Sequence, residues 1–309
     1  MDAAVQATSG DAAGSRESAA RLGYVDDPFA RHFVRRAQRR APLINRGTHS
    51  RFSGIQRILA QFCERAPGGQ VVVLGAGLDT SYFLARRRGR VPRRFFEIDF
   101  AEVTARKAAA VRRAPELQAL LPADTQVAAG GAELHSDSYC LVAGDLRRFE
   151  EDLAPRLQAL GLDPALPTLF VSECVLVYLE PAHSNAVLDW ITRAVPNAGV
   201  VTYEQIRPDD RFGRAMVDNL RARGLELHGL HAFPTLDSAA ERFRARGWHA
   251  AQALDLADYH GRLDPAERAR LGAIELMDEW EEFTLLAQHY AFTFAHTADA
   301  APFSGMGWF

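Results

Sequence analysis

The feature that most constrains the fold is an apolar run, residues 71–80, that ends in a glycine turn. It reads VVVLGAGLDT, and the next apolar run, FFEIDF, carries an acid at its end, Asp99. In a parallel α/β sheet, glycines after the first strand let the backbone approach a ligand, and a carboxylate at the tip of the second strand accepts both ribose hydroxyls. The two runs therefore predict half of a nucleoside pocket, with Gly75 and Gly77 in the turn and Asp99 as the acid.

The glycine turn departs from the dinucleotide fingerprint G-x-G-x-x-G. Thr80 stands at the position of the third glycine, and Asp79 would place a negative charge beside a pyrophosphate. A ligand without phosphate suits the turn Gly75-Ala76-Gly77 better. We therefore predict S-adenosylmethionine, whose amino acid end carries an ammonium and a carboxylate, as the cofactor. The alternative is that this turn simply ends a buried strand.

The composition is that of a globular protein. The 309 residues are 48% hydrophobic, which is ample for a sizeable core, and the net charge of -3 leaves no basic surplus for binding nucleic acid. The chain starts without a leader-like segment, and its longest apolar run is too short to span a bilayer, so we expect a cytoplasmic protein with no membrane partner. Three cysteines, Cys63, Cys140 and Cys174, fit reduced thiols rather than disulfides or a zinc cluster.

Strand and helix patterns alternate regularly from about residue 70 to residue 205, which predicts a parallel sheet with helices on both faces. The closing segment HYAFTFAHT nearly alternates apolar and polar residues, as expected of an exposed or antiparallel strand. A final pair of strands, entered without a crossover helix, would therefore lie at one edge of the sheet. The predicted fold class is α/β, of the class I S-adenosylmethionine-dependent methyltransferase type. It is a Rossmann-like, mostly parallel seven-stranded sheet with an antiparallel edge strand, extra N-terminal helices and substrate-side insertions.

One methyltransferase domain is expected over residues 19–309. Residues 1–18 are rich in Ala, Ser, Gly and Asp without an apolar period, which predicts a flexible tail. Helices within residues 19–66 would form a lid, and residues 207–246 would form a helical segment on the substrate side. A long helix with an acidic face is predicted from about residue 265 to residue 286.

Polar residues follow the predicted strands, and ligands of parallel α/β sheets bind at those carboxyl ends. After the third strand, Asp145 would accept from an adenine amino group and Leu146 would pack on the adenine ring. Each acid alone has an equally good alternative as a helix cap, because Asp79, Asp99 and Asp145 all precede predicted helices. Their joint occurrence at strand ends favours a binding site.

Glu173 interrupts the otherwise apolar run FVSECVLVY. A carboxylate in a central strand costs several kcal/mol unless it is paired. Either a ligand ammonium or a nearby arginine such as Arg51 would offset that cost. Tyr178, at the mouth of the sheet, either hydrogen-bonds a target carboxylate or is an ordinary aromatic residue at a strand end.

From about Gly23 to Thr297 the chain resembles the leucine carboxyl methyltransferases, which use S-adenosylmethionine to methylate the C-terminal leucine of the type 2A protein phosphatase catalytic subunit. Motifs in a specific order and spacing carry the resemblance: APLINRG, LGAGLDT, FFEIDF, GDLR, ECVLVYL, DRFG and HYAFTFAHT. The implied product is a leucine methyl ester, which regulates assembly of the phosphatase holoenzyme. The implied partner is the phosphatase tail, and the implied state is a monomer.

The resemblance also implies cofactor contacts for individual residues. These are Arg16 and Arg51 for the carboxylate, Gly75 for the methionine part, Asp99 for the ribose, Asp145 and Leu146 for the adenine, and Glu173 for the ammonium end. One position departs from the family pattern, which usually has a lysine where Arg16 stands. Arginine keeps the charge of lysine but changes its reach and geometry.

No catalytic acid or base is expected. A C-terminal carboxylate has a pKa of roughly 3.3 to 3.7 and is already ionised near neutral pH, so it can attack a sulfonium methyl directly. The nearest alternative is a carboxyl or O-methyltransferase of the same superfamily that acts on a small molecule or a modified tRNA base. The tRNA-modifying relatives carry an additional propeller domain of several hundred residues, whereas this chain ends at Phe309. A dinucleotide-dependent oxidoreductase is a further alternative, against which Thr80 argues.

Overall fold

A single mixed sheet runs through the protein in the computed structural model, which describes residues 2–309. Its nine strands within that range, in chain order, are β1 (Gln70–Leu74), β2 (Arg94–Asp99), β3 (Gln126–Ala128), β4 (Glu133–His135), β5 (Tyr139–Ala143), β6 (Thr168–Glu173), β7 (Ala198–Gln205), β8 (Ala250–Asp255) and β9 (Tyr290–His296). The spatial order is β3-β4-β5-β2-β1-β6-β7-β9-β8.

Helices cover both faces of the sheet. They are α1 (Asp2–Arg21), α2 (Pro42–Arg65), α3 (Ser81–Arg87), α4 (Ala101–Arg113), α5 (Pro115–Gln118), α6 (Ala154–Ala159), α7 (Pro181–Ala194), α8 (Arg211–Ala222), α9 (Leu236–Arg244), α10 (Leu256–Gly261), α11 (Pro265–Ile274) and α12 (Trp280–Ala287). Successive strand residues point to opposite faces. Val71 and Val73 accordingly join one hydrophobic cluster with Ile55 of α2, and Val72 joins another with Val187 of α7.

The register of the parallel strands brings distant parts of the chain together. Strand β1 lies between β2 and β6, with Leu74 opposite both Ile98 and Ser172. The next residue of each strand is therefore at the same edge of the sheet. This edge is where Asp99 and Glu173 end their strands.

The predicted fold class is confirmed, with a difference in strand number. The seven expected strands are present as β5-β2-β1-β6-β7-β9-β8, and the short strands β3 and β4 extend the sheet to nine. Both short strands run antiparallel to their neighbours. Three-residue strands leave too little periodicity to be found in a sequence.

The last two strands form a pair at one edge of the sheet, as predicted, but the antiparallel strand is not the outermost one. Strand β9 pairs antiparallel with both β7 and β8, so it lies one place inside the edge and β8 is the edge strand. Phe292 and Phe294 pack in one core cluster and Ala295 in the other. The backbone N–H and C=O groups of a buried strand need hydrogen-bond partners in a strand on each side. An edge position would leave one row of these groups without such partners.

The N-terminal segment is helical rather than a flexible tail. Helix α1 begins at Asp2, and Met1 lies outside the described residues. Its alanines favour a helix, and its C-terminal half buries Ala13, Ser18 and Ala19 against the protein. Tertiary contacts thus stabilise residues 2–18 as a helix, although the sequence of this segment has no apolar period.

The predicted long helix over residues 265–286 is two helices. Between α11 and α12 the backbone is extended at Glu275. The Glu275 carboxylate accepts hydrogen bonds from the hydroxyl of Tyr24 at 2.9 Å and from Nδ2 of Asn45 at 3.2 Å. These long-range contacts hold the break between the two helices.

The segment predicted to lie on the substrate side, residues 207–246, contains two helices with different surroundings. Leu220 of α8 and Arg223 beyond it line a cavity over the carboxyl ends of the strands. In α9, Ala240 and Phe243 instead pack with Ala251 of β8 in a core cluster. No helix within residues 2–309 is long and apolar enough to cross a membrane.

Candidate active site

One cavity lies over the carboxyl ends of the strands and has a volume of about 660 Å³. Sites for small organic ligands have volumes of roughly 300–1,000 Å³. All ten site residues predicted from the sequence line this cavity: Arg16, Arg51, Gly75, Ala76, Gly77, Asp99, Asp145, Leu146, Glu173 and Tyr178. The fold thus brings together residues that are separated by up to 162 positions in the chain.

The glycine turn after β1 has a backbone that other residues rarely adopt. Gly75 has φ +63° and Gly77 has φ +54°. A Cβ on Gly75 would lie 2.5 Å from the side chain of Val175, and one on Gly77 would lie 3.4 Å from Ser9 in α1. The turn therefore passes close to two other segments and presents bare backbone to the cavity.

Asp99, at the end of β2, is held rigidly beside the turn. Its Oδ2 accepts a hydrogen bond of 2.6 Å from the Gly77 amide, and its Oδ1 accepts one of 2.7 Å from the Phe100 amide. Burial raises the pKa of Asp99 despite these two bonds. Each carboxylate oxygen can accept a second hydrogen bond, so the fixed carboxylate remains able to accept from a ligand.

Asp145, after β5, is paired with Arg147. Its oxygens accept from the Arg147 backbone amide at 2.9 Å and from the guanidinium at 2.6 Å. Burial acts to raise the pKa of Asp145, but the bonds to Arg147 outweigh it and lower that pKa. The same guanidinium donates to Asp2 of α1 at 2.8 Å, so this corner of the cavity is tied to α1. Leu146 is buried next to Asp145.

Arg51 of α2 and Glu173 of β6 form an ion pair on the cavity wall. Nε of Arg51 lies 2.8 Å from Oε2 of Glu173. The guanidinium also lies over the ring of Tyr203, 5.1 Å from its centroid. The arginine partner that the sequence left open for Glu173 is therefore Arg51, and both side chains still face the cavity.

Arg16 of α1 reaches the cavity but has acidic neighbours of its own. Its Nη1 lies 3.6 Å from an oxygen of Asp27 and 3.6 Å from Oδ1 of Asp79. Oδ1 of Asp79 is buried and accepts no hydrogen bond from any residue in the range 2–309. Burial acts to raise the pKa of Asp79, but the charges of Arg16 and Lys107 outweigh it and lower that pKa. Arg16 thus compensates the acid in the glycine turn.

Tyr178 lies at the end of a tight turn that follows β6, over residues 174–178. Cys174 has φ +54° in this turn, and residues 176–178 form a single helical turn. Burial raises the pKa of Tyr178 well above the physiological range. Its hydroxyl therefore keeps its proton and can donate a hydrogen bond into the cavity.

Glu204 of β7, which was not predicted from the sequence, holds this turn. The Glu204 carboxylate accepts from the backbone amides of Val175 at 3.3 Å, Leu176 at 3.1 Å and Val177 at 3.3 Å. Burial raises the pKa of Glu204 to about 7. The sequence signal that could have identified Glu204 is the same as for Glu173, an acid within an apolar strand pattern. In the structure, Glu204 positions the segment that bears Tyr178.

A further set of cavity residues was also missed. Apolar and aromatic side chains line the cavity beside the strand-end residues: Ile44, Leu256, Leu286, Tyr203 and Tyr290. The rings of Tyr203 and Tyr290 stack with their centroids 5.2 Å apart. These residues come from five separate elements, so no local pattern groups them.

Comparison with known proteins places the chain in a family. The family model for leucine carboxyl methyltransferase matches residues 4–192. A leucine carboxyl methyltransferase 1 homolog of Arabidopsis thaliana is 38% identical over 296 residues, which cover 95% of this chain and 89% of that protein. The human tRNA wybutosine-synthesizing protein 4 is 40% identical over 305 residues, which cover 96% of this chain but only 44% of that protein.

Solved structures support the fold. A methyltransferase-like protein of Thermobifida fusca superposes with a TM-score of 0.54 at 17% identity, covering 91% of this chain and 93% of that one. At this identity the likeness concerns the fold alone. The family model and the 38% identical relative show that the chain belongs to the leucine carboxyl methyltransferase family of methyltransferase enzymes.

Proposed function

We propose that this protein transfers a methyl group from S-adenosylmethionine to the α-carboxylate of the C-terminal leucine of the protein phosphatase 2A catalytic subunit. The product would be a leucine methyl ester, which regulates assembly of the phosphatase holoenzyme. One observation carries the proposal: a single cavity is lined both by the polar strand-end residues and by apolar residues such as Leu256 and Leu286. It thus offers surfaces for a nucleoside and for an aliphatic side chain next to each other.

The polar half of the cavity fits the proposed cofactor. The fixed carboxylate of Asp99 suits the two ribose hydroxyls, and Asp145 with Leu146 suits the amino group and the face of adenine. Arg51 and Glu173 offer opposite charges 2.8 Å apart, which complements an amino acid end that carries both a carboxylate and an ammonium. When bound, this cofactor supplies a methyl group activated on a sulfonium.

The rest of the chemistry needs positioning rather than proton transfer. A terminal carboxylate is ionised near neutral pH, so no side chain has to remove a proton from it. Its oxygen would accept the methyl group that the bound cofactor supplies. Tyr178, with its hydroxyl protonated, would donate to the other carboxylate oxygen and so orient the attack.

Helices α1 and α2 would favour the reaction by limiting water. Charge is lost as the carboxylate and the sulfonium combine, so water, which stabilises the separated ions, slows the step. Residues of both helices line the cavity, among them Ser9, Ala12 and Thr48. We infer that these helices act as the lid, with the protein working as a monomer in the cytoplasm.

A second candidate function follows from the 40% identity to the human tRNA wybutosine-synthesizing protein 4. On this alternative the acceptor would be a carboxyl group on a modified tRNA base. The strand-end residues would hold the cofactor in the same way. Only the acceptor and the residues that surround it would differ.

A transfer assay separates these functions. The full chain is incubated with methyl-labelled S-adenosylmethionine and one of three acceptors: the intact phosphatase catalytic subunit, the subunit without its last residue, or tRNA bearing the modified base. Base-labile label on the intact subunit alone is expected. Label on both forms of the subunit would contradict the terminal leucine as acceptor, and label on tRNA would establish the second candidate.

A further inference from the structure

Helix α12 and the loop before it carry an exposed patch that combines apolar and acidic side chains. Leu276 is 81% exposed, Trp280 is 47% exposed and Leu285 is 46% exposed. Four exposed acids lie among them. This α12 patch consists of Leu276, Asp278, Glu279, Trp280, Glu281, Glu282 and Leu285. Apolar side chains clustered on a surface mark sites of interaction.

The acids of the patch lack counter-ions. An ion pair here means a Lys, Arg or His nitrogen within 4.0 Å of a carboxylate oxygen. Within residues 2–309, Asp278, Glu279, Glu281 and Glu282 form no such pair. Glu275, just before the patch, does have such a partner in Arg39. Four uncompensated negative charges within five residues produce a local negative potential that attracts a positively charged surface.

The α12 patch is continuous with the wall of the reaction cavity. Leu286 of α12 lines that cavity and packs near Gly47 of α2. Residues four apart lie on the same side of a helix, so Glu282 is one turn before Leu286 on that side. Phe283 and Ala287 form the buried face of the helix. A molecule whose end enters the cavity would therefore lie next to the patch.

We propose that the α12 patch docks the folded body of the protein whose C-terminal tail enters the cavity, through a basic surface that also carries apolar side chains. This inference rests on the proposed function, because only a protein acceptor has a body outside the cavity. Desolvated apolar contacts supply most of the affinity of such an interface, and complementary charges raise the rate of association. Leu285 would supply apolar contact, and Glu282 would supply a negative charge that speeds association.

The test compares patch variants with matched controls at a distant edge of the sheet. Leu285→Ser removes an apolar side chain that is 46% exposed. Its control is Val127→Ser on β3, which removes an apolar side chain that is 50% exposed. Glu282→Lys reverses an unpaired exposed acid, and Asp137→Lys does so before β5. Trp280 is left intact because its ring packs over Arg46, 5.1 Å from the guanidinium, and its loss would disturb the fold.

Steady-state methyl transfer is measured with the intact phosphatase catalytic subunit, together with Tm and the Kd for S-adenosylmethionine. Each patch variant is expected to raise the KM for the subunit about tenfold while kcat, Tm and cofactor Kd stay unchanged, and the controls are expected to match the wild type. An active wild type with patch variants within twofold of its KM would overturn the docking proposal alone. A wild type that does not methylate the subunit would overturn the proposed function and, with it, this docking surface.

Discussion

Arg51 donates a hydrogen bond of 2.8 Å from its Nε to Oε2 of Glu173, and both side chains face the cavity. The two residues are 122 positions apart in the chain. The pair offsets part of the cost of placing a carboxylate at the end of a buried strand. It also leaves two opposite charges where the zwitterionic end of the proposed cofactor would lie.

Arg51→Lys should weaken the binding of S-adenosylmethionine at least tenfold by calorimetry, or about 1.4 kcal/mol. Lysine lacks the planar set of donors that would bond Glu173 and a ligand carboxylate together. Decarboxylated S-adenosylmethionine is the control, and its affinity should change less than twofold. Unchanged affinity for the full cofactor with lost turnover would assign Arg51 to the acceptor instead.

Asp99→Ala should weaken cofactor binding more than 100-fold and leave the fold intact. The variant removes the acceptor for the ribose and also leaves the amides of Gly77 and Phe100 without their partner. Denaturant unfolding should therefore show a loss of about 1–3 kcal/mol. Asp99→Asn, which keeps one acceptor oxygen, should recover more stability than affinity. Full affinity in Asp99→Ala would exclude the proposed ribose contact.

Glu204→Gln should change how stability depends on pH. Burial raises the pKa of Glu204 from its ordinary value of 4.5 to about 7, so the folded state binds this proton more tightly than the unfolded chain does. The stability contribution of the protonated group is fully present below pH 4.5 and is lost as the pH rises through 7. The loss amounts to at most ~3 kcal/mol.

Urea unfolding at several pH values checks the Glu204 prediction. The difference in unfolding free energy between the wild type and Glu204→Gln should fall as the pH rises from 4.5 through 7. It should stay level above about pH 8. Subtracting the variant removes the contributions of all other titrating groups. A difference that is independent of pH would show that Glu204 titrates in its ordinary range.

Lys107→Met should destabilise the fold by about 3–5 kcal/mol. Lys107 Nζ lies 2.7 Å from Oε2 of Glu97, and both side chains are completely buried. Removing the lysine leaves a carboxylate without a counter-charge beneath the glycine turn. The double variant Glu97→Leu with Lys107→Met should regain most of the loss in denaturant unfolding, because neither charge is then buried. Additive losses in the double variant would contradict the pairing.

Helix α1 should open more readily than the sheet and close when the cofactor binds. Its N-terminal half is held by surface contacts such as Arg147 to Asp2 at 2.8 Å and Arg106 to the carbonyl of Gln6 at 3.1 Å. An exposed ion pair such as the one between Arg147 and Asp2 contributes at most about 1 kcal/mol. Hydrogen exchange should be fast in residues 3–12 of the free protein and slow with saturating cofactor, with β1 slow in both. Equal exchange in both states would argue against a lid.

Local sequence patterns were sufficient to predict which residues form the polar edge of the site. The glycine turn, Asp99 and Asp145 each follow an apolar strand pattern within a few residues, and parallel topology aligns the ends of such strands. The fold class followed from the same alternation of strands and helices. The helix over residues 2–18 was not predicted, because an alanine-rich segment without an apolar period gives no sign of the surface that will hold it as a helix.

The sequence by itself determined that this chain forms a parallel sheet with a polar, glycine-containing edge, because those signals lie in short stretches of consecutive residues. Only the tertiary structure decided that Arg51 pairs with Glu173, that Glu204 holds the turn bearing Tyr178, and that residues of α1 line the cavity. Each of these relationships joins segments far apart in the chain. Their contacts depend on how helices pack on the sheet, and no spacing within the sequence encodes that packing.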